Sequence, residues 1–169
     1  MTIEIEEVKD SLDMEITLIA AFDDNRVIGN EGEIPWHIPE DMKHFRETTL
    51  YYPVIMGRKT AENICPLPKR TNIVLSRNEN FHNQYTVTAR NILGSLHAAS
   101  DTNKDQVFVA GGESIYEQFL PHADSMIISK VDGEYEGDRF FPPVDLNKWD
   151  IEWQSIRNNF TIIKYVRSR

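Results

Sequence analysis

Apolar runs of strand length alternate along the chain with segments in which apolar residues recur every three or four positions. The runs typical of buried strands are MEITLIAAF (14–22), YPVIM (52–56), TNIVL (71–75) and QVFVA (106–110). Continuous apolar strands that alternate with helices are characteristic of parallel sheets covered on both faces. The pattern therefore predicts an α/β fold, with a mainly parallel central sheet flanked by helices on both faces.

The clearest helical pattern begins at Pro39, a residue that suits the first helical position. Ile38, Met42, Phe45 and Thr49 recur at three- and four-residue spacing, and charged residues take the opposite face. Further helices are predicted in GRKTAENI (57–64), ARNILGSLHAAS (89–100) and ESIYEQFL (113–120).

The last third of the chain breaks the alternation. DSMIISKV (124–131) and WDIEWQSIRNNFTIIKYVRSR (149–169) have the composition of strands without intervening helices. The pair Asn158-Asn159 suits a tight turn between the last two strands. We therefore expect a C-terminal antiparallel hairpin at one edge of the sheet.

The domain organisation predicted from these segments is simple. Residues 14–169 contain no repeat, low-complexity tract or linker, so we expect a single domain there. Residues 1–13 (MTIEIEEVKDSLD) form an acid-rich extension of unknown structure. They are compatible with an edge strand, a short helix or a flexible arm.

Composition and charge narrow the class of partner. With 27 acidic residues against 18 Lys and Arg the net charge is -9, which repels nucleic acid and anionic lipid at long range. The single Cys65 excludes an internal disulfide, and no charged apolar leader or long apolar run is present. We expect a cytoplasmic protein without nucleic-acid or membrane partners, in which any anionic ligand meets a locally basic spot.

A Gly111-Gly112 pair follows one predicted strand and opens a helix, where free backbone amides favour a phosphate. A Gly pair of this kind is more often an ordinary turn. The segment GRKT (57–60) is not the end of a phosphate-binding P-loop, because Val54 occupies the position of the required glycine.

Cations and hydroxyls follow two other predicted strands: Arg58, Lys59 and Thr60 after one, Ser76 and Arg77 after the next. Each of these residues, taken singly, is usually a solvated surface group. Ligands bind beyond the carboxyl ends of parallel strands. The two clusters beside a Gly pair therefore favour an extended ligand with several phosphates, and a dinucleotide with an extra ribose phosphate is one candidate.

One acid stands out in the segment IPWHIPEDMKHF (34–45). On a helix Asp41 lies about 40° from Phe45, at the border of the apolar stripe. A carboxylate in the first helical turn stabilises the helix dipole without any ligand. Its apolar neighbours nevertheless remove hydration, so it needs a hydrogen-bonding partner, which a flat ligand with an amidine-like edge would supply.

Other chemical groups give weaker signals. Arg70, behind the prolines of PLPKR, could hold a carboxylate, but a surface cation explains it equally well. The five histidines lack metal-ligand spacing, so no metal site is predicted. His37 and His44 are interpreted as solvated residues on the polar side of the helix.

The motifs in combination resemble the dihydrofolate reductase family. The resemblance spans about residues 16–168 and is carried by ITLIAAFDDNRVIGNEGEIPW, PEDMKHFRETT, PVIMGRKTAENI, PLPKRTNIVLSR, VAGGESIYEQFLP, YEGDRFFP and the hairpin. It implies NADPH-dependent reduction of 7,8-dihydrofolate to 5,6,7,8-tetrahydrofolate by hydride transfer to the pterin. The product would support one-carbon metabolism and the synthesis of thymidylate, purines and amino acids, and antifolates would target the enzyme.

By the same resemblance, Asp41 would hydrogen-bond the pyrimidine edge of the pterin and favour protonation of its imine nitrogen by water. Ser129 would support this acid, and Arg70 would bind the glutamate carboxylate. Ile19 and Ala110 would offer backbone carbonyls to the pterin. The other residues implied at the substrate are Ala20, Ile34, Trp36, Met42 and Phe45, with Trp36 and Ile34 joining Asp41 at the catalytic centre.

The residues implied around NADPH fall into three groups. The nicotinamide would be flanked by Ala21, Val27, Ile28, Gly29, Asn30, Glu31, Gly32 and Glu33. The pyrophosphate would be held by Gly111, Gly112, Glu113, Ser114, Ile115 and Tyr116. The adenosine and its 2'-phosphate would be surrounded by Arg58, Lys59, Thr60, Leu75, Ser76 and Arg77.

Two other functions fit parts of the pattern. The first is a reductase of the same fold that acts on a pyrimidine intermediate of flavin synthesis, and the second is a nucleotide-binding module without catalysis. Asp41 after Pro35-Trp36, together with the PLPKR loop, favours folate over the first. The presence of Asp41 argues against the second. Nothing in the sequence suggests an obligate oligomer, so a monomer is expected.

Overall fold

A computed structural model describes residues 2–77 and 86–169 of the chain. Its helices are α1 (Thr2–Ser11), α2 (Pro39–Thr49), α3 (Arg58–Ile64), α4 (Ile92–Ser100) and α5 (Glu113–Phe119), and two short 3-10 turns cover Leu120–His122 and Leu146–Lys148. Its strands are β1 (Glu15–Phe22), β2 (Val27–Gly29), β3 (Pro53–Gly57), β4 (Thr71–Leu75), β5 (Thr86–Ala89), β6 (Gln106–Val109), β7 (Ser125–Val131), β8 (Arg139–Phe140), β9 (Trp149–Ile156) and β10 (Phe160–Arg167).

Eight strands form one sheet in the order β5-β4-β3-β6-β1-β7-β10-β9, and β2 pairs with β8 in a second, two-stranded sheet. From β5 to β7 all neighbours are parallel, whereas β10 is antiparallel to both β7 and β9. The prediction of a mainly parallel sheet with a C-terminal antiparallel hairpin is confirmed. The hairpin turn lies where it was expected, with Asn159 at a φ of 71° and Arg157 N donating to Phe160 O over 2.9 Å.

The core lies on both faces of this sheet, because alternate residues of each buried strand point to opposite sides. On one face Ile16, Leu18 and Val109 pack with Leu96 of α4 and Phe119 of α5. On the other face the strands pack against α2 and α3, through the residues Ile19, Val54, Met56, Phe45 and Ala61. Both faces are therefore covered by helices, as the continuous apolar runs predicted.

The N-terminal segment, for which three conformations remained open, is helical from Thr2 to Ser11. Ile5 of α1 is buried in the core and α1 contacts α4. Lys9 Nζ donates to His122 O over 3.0 Å and to Asp124 Oδ1 over 2.6 Å. His122 Nδ1 in turn lies 2.7 Å from Glu6 Oε1, so polar as well as apolar contacts attach α1 to the sheet.

Three short strands were missed by the pattern of apolar residues. β2 is only three residues long, and β5 and β8 contain too few apolar residues to resemble buried strands. All three lie at a sheet edge or in the two-stranded sheet, where one side of a strand has no strand neighbour. Such strands do not need a continuous apolar sequence.

Candidate functional site

Three turns meet at the carboxyl edge of the parallel strands β4, β3 and β6, which are adjacent in the sheet. The turn after β3 begins α3 with Arg58, Lys59 and Thr60, the turn after β4 carries Ser76 and Arg77, and the turn after β6 contains Gly111-Gly112. Two contacts join the turns after β3 and β6. Gly57 N donates to Gly111 O over 2.8 Å, and Thr60 Oγ1 would lie 3.6 Å from a Cβ placed on Gly112.

The cations of these turns face outward. Arg58, Lys59 and Arg77 are exposed, whereas Thr60 is half-buried and Ser76 is buried. Three cationic side chains at one sheet edge form a basic surface on a protein whose net charge is -9. This edge is thus the locally basic spot that an anionic ligand requires.

Of the two glycines, Gly111 has a backbone conformation that other residues rarely adopt. Gly111 has a φ of 107°, and a Cβ there would lie 3.0 Å from the ring of Tyr116. The Gly111-Gly112 peptide bond is cis. Gly112 has a φ of -86°, and a Cβ placed on it would meet only Thr60 Oγ1, at the ordinary contact distance of 3.6 Å. Its backbone therefore has no close neighbour on that side.

The residues that follow the pair point in different directions. Ile115 and Tyr116 face the core, where Tyr116 donates its hydroxyl to Ile19 O over 2.7 Å and burial raises the pKa of this phenol. Ser114 is exposed. Glu113 Oε1 accepts a hydrogen bond from Phe140 N over 3.0 Å. The one acid of this turn is thereby bound to strand β8.

Asp41 lies in the first turn of α2 and is half-buried. Its Oδ1 accepts a hydrogen bond from Ser129 Oγ on β7 over 2.5 Å. Ser129 is 2% exposed and pairs with Ala21 of β1 and Ile162 of β10. The carboxylate is therefore hydrogen-bonded to a buried side chain on an interior strand of the sheet.

Burial raises the pKa of Asp41, while the Ser129 hydrogen bond and the attraction of His44 lower it. Burial is the largest of these effects, so the carboxyl binds a proton more tightly than a solvated aspartate does. An ionised carboxylate in such surroundings favours a ligand that brings hydrogen-bond donors or positive charge.

Several residues close to Asp41 in the chain have apolar side chains. Trp36 packs edge-on against Tyr135 with ring centroids 5.2 Å apart, and Trp36 and Phe45 lie against the core on the α2 side of the sheet. Ile34 and Met42 are 62% and 50% exposed. Exposed apolar side chains beside a half-buried acid are typical of an open ligand cleft.

Residues of β1 and of the turn after β6 lie on the same side of the sheet as α2. The side chains of Ile19, Ala21 and Ala110 lie on the α2 side of the sheet, whereas that of Ala20 packs into the core on the other side. Ala20 can therefore meet a ligand in the pocket only through its backbone. The carbonyl of Ile19 accepts a hydrogen bond from the hydroxyl of Tyr116, and a carbonyl oxygen has two lone pairs.

Arg70 is fixed at the far end of α2. Its Nε donates to Thr49 Oγ1 over 2.8 Å, one terminal nitrogen donates to Pro68 O over 2.5 Å, and the other donates to Arg46 O. Burial lowers the pKa of this guanidinium. Three of the five N–H groups are used, and the two that remain can meet a carboxylate in a fixed orientation.

The segment from β2 to Glu33 ends in a tight turn. Asn30 N donates to Glu33 O over 2.7 Å, and Glu31 and Gly32 have φ values of 52° and 83°, as in a type I' turn. Val27 is buried, Ile28 packs against the core, and Gly29 pairs with Arg139 of β8.

Two aspartates that sequence reasoning missed hold this segment. The buried Asp23 accepts hydrogen bonds from Val27 N over 2.9 Å and from Tyr135 N over 2.7 Å. Asp138 Oδ2 accepts from Glu31 N over 3.2 Å, and Asn63 Nδ2 donates to Gly32 O over 3.4 Å. Asp23 and Asp138 are each more than 100 residues from one of their partners, so no local signal marked them.

His44 corrects the interpretation of the histidines. His37 is exposed, as expected, but His44 is half-buried and lies within electrostatic reach of Asp41. Burial lowers its pKa. We had placed His44 on the solvated, polar side of the helix. This prediction was wrong because the β9–β10 hairpin lies near that side of α2, as the hydrogen bond between Arg157 and Glu40 shows.

A separate cavity of about 200 Å³ lies on the other face of the sheet. Phe22, Met126, Ile128, Phe141 and Tyr165 are among its lining residues. Its lining includes neither Asp41 nor any residue of the three turns. Among residues 2–77 and 86–169, no cluster of His, Cys, Asp and Glu has the arrangement of a metal site, and no helix is long and apolar enough to cross a membrane.

A mainly parallel sheet with a cationic carboxyl edge, and one half-buried acid among apolar side chains of the helix that covers it, define an α/β protein with a candidate ligand site. The family model for dihydrofolate reductase matches residues 15–167. The chain belongs to the dihydrofolate reductase family.

Individual relatives agree with this assignment. The chain is 40% identical over 145 residues to the dihydrofolate reductase of Haemophilus influenzae, with 85% of this chain and 89% of the relative covered. It is 37% identical over 161 residues to dihydrofolate reductase HdrB of Haloferax volcanii, with coverage of 90% and 83%. The solved structure of the Enterococcus faecalis dihydrofolate reductase, complexed with NADP(H) and RAB-propyl, superposes with a TM-score of 0.80 at 27% identity and covers 94% of this chain and 98% of the other.

Proposed function

We propose that this protein reduces 7,8-dihydrofolate to 5,6,7,8-tetrahydrofolate with NADPH, and that Asp41 is the acid of its pterin pocket. The observation that carries the proposal is the Ser129–Asp41 hydrogen bond of 2.5 Å, which holds one carboxylate in an apolar cleft beside a cationic sheet edge. Family membership and the Enterococcus faecalis complex with NADP(H) support the choice of substrate and cofactor.

The substrate would be oriented by groups at opposite ends of α2. At its N-terminal end Asp41 would accept hydrogen bonds from the pyrimidine edge of the pterin, and Ile19 and Ala110 would add backbone carbonyls. At its C-terminal end the two free N–H groups of Arg70 would bind the glutamate carboxylate. Between them the apolar walls would exclude water from the rings, through the residues Ile34, Trp36, Met42 and Phe45.

The glycine pair Gly111-Gly112 is suited to binding the pyrophosphate of NADPH. Gly112 leaves its backbone open to the cleft, and the acid Glu113 is occupied by Phe140 N, so the turn does not repel a pyrophosphate with a free carboxylate. Arg58, Lys59, Thr60, Ser76 and Arg77 would hold the adenosine side with its 2'-phosphate. The turn from Asn30 to Glu33 would cover the nicotinamide side. When bound, NADPH supplies the hydride.

The role of Asp41 in the reaction follows from its environment. A buried carboxylate stabilises positive charge nearby far more than a solvated one does, because little water screens it. It would therefore favour protonation of the imine nitrogen that accompanies hydride arrival. Asp41 does not have to supply that proton itself, since the exposed rim around Ile34 and Met42 leaves the pocket open to water.

The direct test is the loss of NADPH absorbance after addition of dihydrofolate. We expect consumption by the wild-type protein, and a fall of about a hundredfold or more at neutral pH for Asp41→Asn with NADPH binding retained. Binding of both ligands without consumption would disprove reductase activity and leave a binding module.

Cofactor selection gives a second test of the same proposal. Arg77→Ala should weaken binding of NADPH more than binding of NADH, because only NADPH carries the 2'-phosphate that a guanidinium binds with two hydrogen bonds. Glu62→Gln is a control on the neighbouring exposed surface of α3 and should change neither affinity. Equal weakening of both cofactors by Arg77→Ala would argue against a 2'-phosphate contact.

We also propose that the protein works as a monomer in the cytoplasm. The single cysteine fits a reducing compartment, and the cleft is formed within one chain. Sedimentation of the purified protein at working concentration should give a mass near 19.6 kDa. A dimer mass would refute the monomer.

A further inference from the structure

The cavity of about 200 Å³ lies on the face of the sheet that α2 does not cover. Two side-chain pairs across the antiparallel strands β7 and β10 form its floor, Ile128 with Ile163 and Met126 with Tyr165. The main contacts of α4 and α5 with the sheet lie on β3 to β6, and here the irregular segment 141–146 contributes the opposite wall. Folded proteins leave few spaces of this size unfilled, so the cavity needs an explanation.

The inner walls of the cavity are apolar and partly aromatic. Met126, Ile128 and Phe141 are at most 2% exposed, and the rings of Phe22 and Phe141 have centroids 5.0 Å apart. Leu146 also lines the cavity and is 54% exposed, so the cavity opens to solvent. An apolar cavity of about 150 Å³ is large enough for benzene, so this one has room for a single ring with a small substituent. Aromatic walls favour an aromatic ligand through edge and offset contacts.

The charged groups of the lining are bound by the protein itself. Lys130 Nζ lies 2.8 Å from Asp24 Oδ1. Arg26 Nη1 donates to Phe141 O. The carboxylate of Asp23 accepts from three backbone amides over 2.7 to 3.0 Å. Because two acids and two bases line the cavity and each has a partner, the lining selects a neutral ligand.

Tyr165 supplies a lining group suited to a polar substituent. Its side chain is half-buried, and its hydroxyl makes no hydrogen bond to any residue within 2–77 and 86–169. A phenolic hydroxyl can both donate and accept. A neutral ring that carries one hydroxyl group would therefore find apolar walls for its body and a partner for its polar atom.

We propose that this cavity binds a neutral molecule made of a single aromatic ring with one hydrogen-bonding substituent, and that this molecule is an effector that strengthens NADPH binding. The effector role rests on the proposed function, whereas the binding site does not. Two lining residues connect the cavity with the segment from β2 to Glu33. Asp23 accepts from Val27 N over 2.9 Å, and Arg26 O accepts from Phe141 N over 2.8 Å. A ligand packed on these residues stabilises the segment that would cover the nicotinamide.

Phe141 connects the cavity with the glycine turn as well. Its ring contacts that of Tyr116, with centroids 4.9 Å apart, and a Cβ on Gly111 would lie 3.0 Å from the Tyr116 ring. The neighbouring Phe140 N is bound to Glu113 of the same turn. A ligand held against Phe141 therefore also orders the turn proposed for the pyrophosphate. By linkage, NADPH should strengthen binding of the ligand by the same factor.

The site is tested with 4-methylphenol as the probe, titrated into the ligand-free protein and followed by ¹H–¹⁵N NMR. We expect saturable shifts of the amides around the cavity. Toluene, which lacks the hydroxyl, should bind about fivefold more weakly, the effect of one hydrogen bond. Tyr165→Phe should remove this difference between the two probes.

A filled cavity provides the decisive variant. Val144→Trp replaces a half-buried lining residue with a side chain that occupies the space, and it should abolish saturable binding of 4-methylphenol. The matched control is Ile156→Trp, which adds the same side chain at an 82% exposed position outside the lining and should bind the probe like wild type. If Val144→Trp does not fold, Ile163→Phe fills the cavity from the sheet side.

The effector role is tested by NADPH titration with and without saturating 4-methylphenol. We expect the probe to raise the NADPH affinity of the wild type about fivefold and to leave that of Val144→Trp unchanged. An unchanged or lowered affinity in the wild type would refute the effector role.

Three results would refute the binding site itself. They are the absence of saturable probe binding, equal binding by wild type and the filled variant, and shifts centred on Asp41 with displacement of the probe by dihydrofolate. A wild-type protein that consumed no NADPH would refute the proposed function, while the probe titrations would still decide on the cavity.

Discussion

Ser129 on β7 donates its hydroxyl to Asp41 Oδ1 on α2 over 2.5 Å, and the two residues are 88 positions apart. The contact joins an interior strand of the sheet, where its parallel part meets the antiparallel hairpin, to the first turn of the helix α2. It also opposes the effect of burial on the pKa of Asp41. The chemistry proposed for the pocket depends on this one link between sheet and helix.

We predict that Ser129→Ala raises the pKa of Asp41, because a hydrogen bond to the ionised form is lost. The proposed hydride step should slow roughly tenfold at pH 7 to 8, which corresponds to the loss of one hydrogen bond to a charged group. The measurements are a ¹³C NMR titration of the Asp41 carboxyl and the single-turnover rate of hydride transfer from NADPH to dihydrofolate. Ser129→Thr keeps a hydroxyl and should behave as wild type; a titration of Asp41 unaltered in Ser129→Ala would contradict the role of the bond.

The second prediction concerns stability and its dependence on pH. Burial raises the pKa of Asp41 in the folded state, so the folded protein holds this proton more tightly than the unfolded chain does. Stability is therefore lost as pH rises from the ordinary carboxyl range through the folded pKa of Asp41, and the loss persists at neutral pH.

Replacement of the acid should then stabilise the protein while it impairs catalysis. We expect Asp41→Asn to raise Tm at pH 7 by about 2 to 4 °C, roughly 1 kcal/mol for a domain of this size. The gain should shrink as the pH approaches the carboxyl range, where Asp41 is protonated in both states. Thermal unfolding of both proteins at several pH values checks this; a lower Tm for Asp41→Asn at every pH would be inconsistent with it.

The glycine pair allows a matched comparison of folding and binding. Gly111→Ala should cost about 1 to 3 kcal/mol, because the residue has a positive φ and its Cβ would meet the Tyr116 ring. Gly112→Ala has ordinary contact distances and should change stability by less than about 0.5 kcal/mol. Gly112→Ala should nevertheless weaken the binding of NADPH, because the added methyl group would block close approach of the pyrophosphate to the backbone.

Denaturant unfolding and NADPH titration of both glycine variants provide the measurement. The expected result is a separation of effects, with lost stability in Gly111→Ala and lost affinity in Gly112→Ala. If Gly112→Ala leaves the affinity for NADPH unchanged, the proposal that this turn binds the pyrophosphate is wrong.

The helix α1 gives a prediction outside the ligand sites. Lys9→Met removes an ammonium that is bound to Asp124 Oδ1 and His122 O, which should lower stability by about 1 to 2 kcal/mol. The proposed reductase rate should stay within a factor of about two, because the contact lies away from Asp41. Glu7→Gln, an exposed position of the same helix, is the control and should unfold like wild type. Equal stability of Lys9→Met and wild type would show that α1 does not depend on this contact.

Much of the fold was predictable because it depends on local pattern. The continuous apolar runs of β1, β3, β4 and β6 matched buried parallel strands, since such strands are covered on both faces and need no polar alternation. The placement of the cationic turns beside Gly111-Gly112 also followed, because the carboxyl ends of parallel strands share one edge. Short edge strands such as β8 lack that continuous apolar signal and were missed.

The sequence by itself determined which chemical groups the candidate site contains. A glycine turn, two cationic turns and one acid at the border of an apolar helix face could all be predicted from residue type and spacing. Only the tertiary structure decided how these groups are tuned. Ser129 meets Asp41, Asp23 meets Tyr135, and Lys9 meets Asp124 across separations of 88, 112 and 115 residues. His44 Nε2 is likewise buried without a hydrogen-bond partner, although the sequence pattern predicted that this face of α2 is polar and solvated. Hydrogen bonds and burial depend on distances in space, and residue spacing along the chain does not contain them.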